Sequence, residues 1–173
     1  MTLFGTFVLA LALGAPFGDH MVLQRDRRMP IWGSSKAGER VAVSFAGRTA
    51  TTVSDKSGFW RVDFGPIAAS SKPHRIVVKG ETDEKTVDDV LIGEVWLAGG
   101  QSNMACPTWG PNPRFCDEQG MFVSQLTTLP QVRYVTVAGE ASLTPTNGYR
   151  RPLVWRTAVP ENLTRVPLSA VAF

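Results

Sequence analysis

Histidine is scarce in this chain: among 173 residues there are two, His20 and His74, both in the first half. Removing a proton from an alcohol near neutral pH ordinarily falls to a histidine, so the shortage constrains hydrolytic chemistry before any motif is considered. Cysteine is equally sparse. Cys106 and Cys116 stand ten positions apart in a Pro-rich stretch, without a CxxC or Cys/His ligand spacing. That argues against a structural zinc site and a disulfide scaffold, and no metal is expected. The two thiols form a local disulfide if the protein is exported and stay free if it is not. Charge of one sign is not concentrated either: 18 basic and 15 acidic residues leave a net charge of +3, and Arg25, Arg27 and Arg28 beside Asp26 read as a solvated turn. Without a basic stripe interleaved with aromatics, no nucleic-acid partner is expected.

Long apolar runs are missing as well. Residues 1–18 carry no side-chain charge and residues 7–15 are almost wholly apolar. This stretch resembles the core of a signal peptide, yet it has no Lys or Arg ahead of it, so residues 1–15 read either as a leader or as a first buried strand. It is short of the ~20 apolar residues that a spanning helix needs. The charge-free stretch 95–113 is interrupted by Gly99, Gly100, Pro107 and Gly110, so no stable membrane span is expected.

What the chain does have is an ordinary globular composition, 43% hydrophobic with 16 glycines and 12 prolines, rich in turns. From residue 16 to 80 the apolar pattern has period two, with turn signals about every ten residues, which predicts a small β-sandwich module. In residues 40–48, read as one strand, Val41, Val43 and Phe45 share a face; after a turn at Asp55 to Gly58, Trp60, Val62 and Phe64 share another. Ile76, Val77 and Val78 centre a further strand. Residues 81–89 are polar and acidic and read as a connector. The run 90–98 then reads as a strand covered on both faces, and 132–137 as a second one reached by a crossover, which predicts the start of an α/β layout over residues 90–173.

The chemistry-bearing stretch is Gly93-Glu94-Val95-Trp96-Leu97-Ala98-Gly99-Gly100-Gln101-Ser102-Asn103-Met104. A strand that runs into two glycines and then a serine can set the Oγ and the backbone N–H toward one bound carbonyl, with the glycines free to take positive φ. Strand-Gly-Gly-Gln-Ser-Asn is also an ordinary turn or helix cap. The elbow of α/β-hydrolases needs a glycine two places after the serine, where Met104 stands.

Glu94-Val95-Trp96-Leu97 followed by Gly100-Gln101-Ser102-Asn103-Met104 resembles the first catalytic block of the sialate O-acetylesterases, a branch of the SGNH (GDSL-like) hydrolases. The resemblance extends through Phe17-Gly18-Asp19-His20-Met21-Val22-Leu23-Gln24-Arg25, Pro30-Ile31-Trp32-Gly33, Gly38-Glu39-Arg40-Val41, Gly58-Phe59-Trp60 and Leu168-Ser169-Ala170-Val171-Ala172-Phe173. It implies a secreted or periplasmic esterase that removes O-acetyl groups from sialic acid or related sugars without a cofactor. The fold it implies is a β-sandwich module followed by a three-layer α/β/α SGNH domain. Ser102 would be the nucleophile and supply an oxyanion-hole N–H, with Gln101 and Asn103 positioning the substrate and an Asp-oriented histidine acting as base.

Two departures stand out. No Asp-x-x-His, nor any histidine, follows Ser102, and Ala105-Cys106 replaces the acidic and aromatic residues usual in relatives. His20 and His74 read as packing or polar residues of the sandwich, and Asp88, Asp89 and Glu94 as strand-end contacts. Trp32, Trp60 and Trp96 read as core before sugar-stacking surface. The chain also stops inside an apolar segment at Phe173, so a truncated product, an N-terminal fragment lacking the His/Asp base, is expected. The alternative is a non-catalytic sugar-binding or accessory sandwich with a vestigial serine motif.

Overall fold

Alternating side chains bury one face of a strand and wet the other, and that pattern organises the first half of the molecule. The computed structural model describes residues 10–100, 129–137, 144, 149, 152–159 and 162. Their strands, in chain order, are β1 (Ala12–Leu13), β2 (Val22–Gln24), β3 (Met29–Ser34), β4 (Arg40–Phe45), β5 (Arg48–Val53), β6 (Phe59–Phe64), β7 (Ser70–Lys79), β8 (Glu84–Gly93), β9 (Leu129–Tyr134) and β10 (Arg156–Ala158). A three-stranded sheet runs β1-β3-β6, a five-stranded sheet β2-β8-β7-β4-β5, and β10 pairs with β9 apart from both. Met29, Ile31, Trp60, Val62 and Phe64 of the smaller sheet meet Val41, Val43, Phe45, Ile76, Val78, Val90 and Ile92 of the larger one in a single core. This is the predicted sandwich. Leu11 and Ala12–Leu13 belong to it: Leu11 is buried in the core and β1 pairs antiparallel with β3.

Turns fix the register. Residues 40–48 are two strands, not one, because Ala46 (φ 48°) and Gly47 (φ 74°) form a two-residue hairpin loop between Phe45 and Arg48. Positive φ at both central positions matches the twist of the flanking strands. At the next hairpin Asp55 Oδ1 accepts hydrogen bonds from Ser57 N (2.8 Å), Ser57 Oγ (2.6 Å) and Phe59 N (3.0 Å). These donors, the Ser57 hydroxyl foremost, hold the Asp55 carboxyl below the ordinary aspartate range.

Glu39 is a buried carboxylate that ties two turns together. Its Oε2 accepts from Lys36 N (3.1 Å) and its Oε1 from Glu81 N (2.9 Å). A Cβ on Gly80 would lie 2.2 Å from that Oε1, so the glycine makes room for the carboxylate. The Gly38-Glu39 motif thus has a structural account: it anchors the β7–β8 turn, where Gly80 N also bonds Asp83 O (2.9 Å).

The second half departs from expectation. Residues 84–89, expected within a connector, are the outer part of β8, one of the two longest strands, paired with β7 from Lys79↔Glu84 inward. Their polarity misleads because this end of the hairpin projects past the core, where only Val87 is buried. The apolar run 90–98 is strand only to Gly93. Val90, Leu91 and Ile92 are buried in succession, as a doubly covered strand requires, but Val95, Trp96 and Leu97 are exposed. Parallel pairing does occur on β8, yet its partner is β2 within the sandwich sheet (Val22↔Leu91, Gln24↔Gly93). The expected strand at 132–137 is β9, which pairs antiparallel with β10 and is largely exposed, in place of a buried crossover strand. Among the described residues almost no helix occurs, and no α/β layer is formed.

Candidate functional site

The segment that leads to the serine is held by the Asp19-His20-Met21-Val22-Leu23-Gln24-Arg25 motif, which runs alongside β8 from Asp88 to Gly93. Asp88 N donates to Asp19 Oδ1 (2.7 Å), His20 N to Asp88 O (3.1 Å), Leu91 N to Met21 O (3.0 Å) and Arg25 N to Gly93 O (2.9 Å). Where the backbone pairing stops, a side chain continues it. Gln24 Oε1 accepts from Val95 N (2.9 Å) while Gln24 Nε2 donates to Glu94 Oε2 (2.9 Å), and Arg25 Nε stands 3.8 Å from Glu94 Oε1.

At the other end of the same pairing, three segments converge on Asp89. Arg133 Nη2 of β9 donates to both carboxylate oxygens (3.1 and 2.9 Å), and His20 Nδ1 lies 2.7 Å from Oδ2. The Arg133 side chain is only 6% exposed, and its Nε is buried without a partner. His20 (φ 68°) and Asp89 (φ 54°) both take left-handed backbone, the conformation in which their side chains face one another. A carboxylate on Nδ1 is how a hydrolase orients a histidine base. Here the same carboxylate neutralises a buried guanidinium, so the node joins the β9–β10 pair to the sandwich. Trp155 reinforces that seat by donating Nε1–H to Pro16 O (2.8 Å) and packing against the core.

The remaining candidates sort readily. His74 is part-buried, with Nε2 3.2 Å from Ser70 Oγ and its ring edge-on to Phe45, which is a packing role. Asp88 pairs with Arg75. Trp60 is core; Trp32 is half-buried against Phe17 (4.7 Å between centroids); Trp96, expected in the core, is 77% exposed. Asn162 donates its side-chain amide to Thr157 O (3.1 Å) and Oγ1 (2.8 Å). Gly99, free to take positive φ, does not use that freedom here. Gln101, Ser102, Asn103, Cys106 and Cys116 lie outside the described residues. Among the described residues no three metal-ligating side chains come together, and no helix is long and apolar enough to cross a membrane. Sequence reasoning missed the Asp89 node, since its partners stand 69 and 44 positions away and no local pattern links them.

No family model matches the chain. A sialate O-acetylesterase of Rattus norvegicus is 35% identical in a 97-residue alignment that covers 50% of this chain and 18% of the rat protein. A carbohydrate acetylesterase from Xanthomonas citri, known from its crystal structure, superposes with a TM-score of 0.79 at 33% identity, over 92% of this chain and 35% of that one. The chain resembles the sialate O-acetylesterases. It spans about a fifth of the length of the rat esterase and about a third of the bacterial one. A bacterial immunoglobulin-like domain of the M. primoryensis ice-binding adhesin aligns with a TM-score of only 0.26, which carries no argument. Likeness to the Xanthomonas esterase covers 92% of this chain, so it takes in the sandwich.

Proposed function

We propose that the protein is a carbohydrate acetylesterase of the sialate O-acetylesterase type, exported to the periplasm or beyond, with Ser102 as its nucleophile. The observation that carries this reading is the likeness to a carbohydrate acetylesterase over 92% of the chain. It is joined by β8, which runs out of the sandwich toward Gly99-Gly100-Gln101-Ser102. In this reading Ser102 Oγ attacks the acetyl carbonyl of an O-acetylated sialic acid or related sugar. The oxyanion is held by the Ser102 N–H, the sugar hydroxyl leaves with a proton, and water releases acetate from the acyl-serine. Gln101 and Asn103 orient the sugar, and the chain beyond Gly93, where β8 leaves the sandwich, supplies the first part of an SGNH α/β/α domain.

His74 is engaged by Ser70 and Phe45, His20 meets Asp89 through Nδ1 in the sandwich, and no histidine follows Ser102 to serve as the Asp-oriented base that the resemblance implies. Slow turnover is therefore expected from the chain alone. Purified protein is assayed with p-nitrophenyl acetate and with O-acetylated sialic acid, following p-nitrophenol and acetate. Ser102→Ala lowers the turnover at least ~100-fold, as loss of a covalent nucleophile does. Equal turnover in the variant sinks the assignment. Saturable sugar binding without turnover, indifferent to Ser102→Ala, puts the chain among non-catalytic sandwich modules instead.

A further inference from the structure

We propose that Gln24 is a positioning residue for the serine-bearing segment: its carboxamide clamps Glu94 and Val95 where β8 ends and sets the direction in which the chain leaves the sandwich. β2 stops at Gln24, opposite Gly93, so the next residues of the outgoing chain have no backbone partner on that edge. The Gln24 side chain takes over as surrogate strand neighbour. Its Oε1 accepts Val95 N–H, the bond that the next carbonyl of a longer β2 would make, and its Nε2 donates to the Glu94 carboxylate, both at 2.9 Å. One amide engaging two consecutive residues fixes a direction as well as a position, which a single contact does not.

The need for such a clamp is local. Val95 and Leu97 are 44% and 97% exposed, so these side chains gain little from burial at the point where the chain must be aimed. Only an amide does both jobs: a carboxylate at position 24 would accept from Val95 N–H but repel Glu94, and an aliphatic side chain would do neither. Arg25 backs the arrangement, its N–H on Gly93 O (2.9 Å) and its guanidinium facing Glu94. The Gln-Arg end of the motif is thus assigned a task distinct from its Asp-His end, which holds Asp88 and Asp89. The catalytic consequence rests on Ser102 being the nucleophile; the clamp itself does not.

The test uses the full chain with Gln24→Leu, Gln24→Glu and the exchange variant Gln24→Glu/Glu94→Gln, in which the pair's donor and acceptor change places while Val95 N–H keeps an acceptor. Amide hydrogen exchange at Val95 is expected to quicken about tenfold in Gln24→Leu, the scale of one lost hydrogen bond, and to return most of the way in the exchange variant. With p-nitrophenyl acetate, kcat falls about tenfold in Gln24→Leu with KM nearly unchanged and recovers in the exchange variant, since misaiming a nucleophile costs rate before binding. Val95 exchange unaltered by Gln24→Leu, or no recovery in the exchange variant, overturns the clamp. Altered exchange with Ser102-dependent kcat unchanged overturns the positioning role. Turnover independent of Ser102 overturns the proposed function instead, and the exchange measurement then decides the clamp separately.

Discussion

Asp89 shows how one carboxylate can decide where a segment sits. Arg133 is nearly sealed from water, and a buried guanidinium without its counter-ion is costly, so Asp89 is required wherever β9 docks as observed. Asp89→Asn keeps a residue that tolerates positive φ and removes only the charge, so the loss reads the ion pair and not the backbone. Allowing for the partial exposure of Asp89, about 1–3 kcal/mol of stability should disappear in urea unfolding, with the amides of β9 exchanging faster than those of β4. Asp63 makes a second, milder prediction. Hydrogen bonding from Arg61 lowers its carboxyl most, burial opposes it next, and the charges of Arg28 and Arg61 add to the lowering, so that the group stays below the ordinary 3.8. A group whose pKa is lower folded than unfolded stabilises fully above the unfolded value and loses that contribution as pH falls through the folded one. Between about pH 5 and pH 2 the urea midpoint of Asp63→Asn should therefore fall less steeply than that of the parent.

Hairpins and strand ends carry the legibility problem in its clearest form. The faces of β4 and β6 were readable because Val41, Val43, Phe45, Trp60, Val62 and Phe64 alternate with polar or small residues and all six are buried. The break at Ala46-Gly47 was not, since alanine gives no turn signal and only the pairing of Phe45 with Arg48 reveals the loop. Alanine in the left-handed region is strained there, whereas asparagine is favoured at such a turn. Ala46→Asn is expected to raise stability by ~0.5–1 kcal/mol, read as a higher urea midpoint at unchanged slope. Residues 84–89 were misread for a related reason: backbone pairing with β7 makes them strand, while their polarity reflects only that little core lies beneath them.

For the molecule as a whole, composition and periodicity are local quantities, and they sufficed for what local physics dictates. They excluded a membrane helix and a disulfide scaffold as expectations, set the alternating strands of the sandwich, and pointed to the Gly-Gly-Gln-Ser stretch together with the resemblance that the comparisons with known esterases support. Partnerships across the fold were beyond them. That the Asp19 to Arg25 motif runs parallel to a strand some 70 positions later, that Gln24 grips Glu94 and Val95, and that Asp89 gathers His20 and Arg133 follow from where the sheets place those segments. The apolar run 90–98 makes the same division: its side chains say that it prefers burial, but whether each is buried depends on what packs against it, and that changes from Ile92 to Val95. Hydrophobic pattern is written residue by residue along the chain, whereas a hydrogen bond between distant side chains exists only once the backbone has brought them within three ångströms, a condition that no single stretch of sequence encodes.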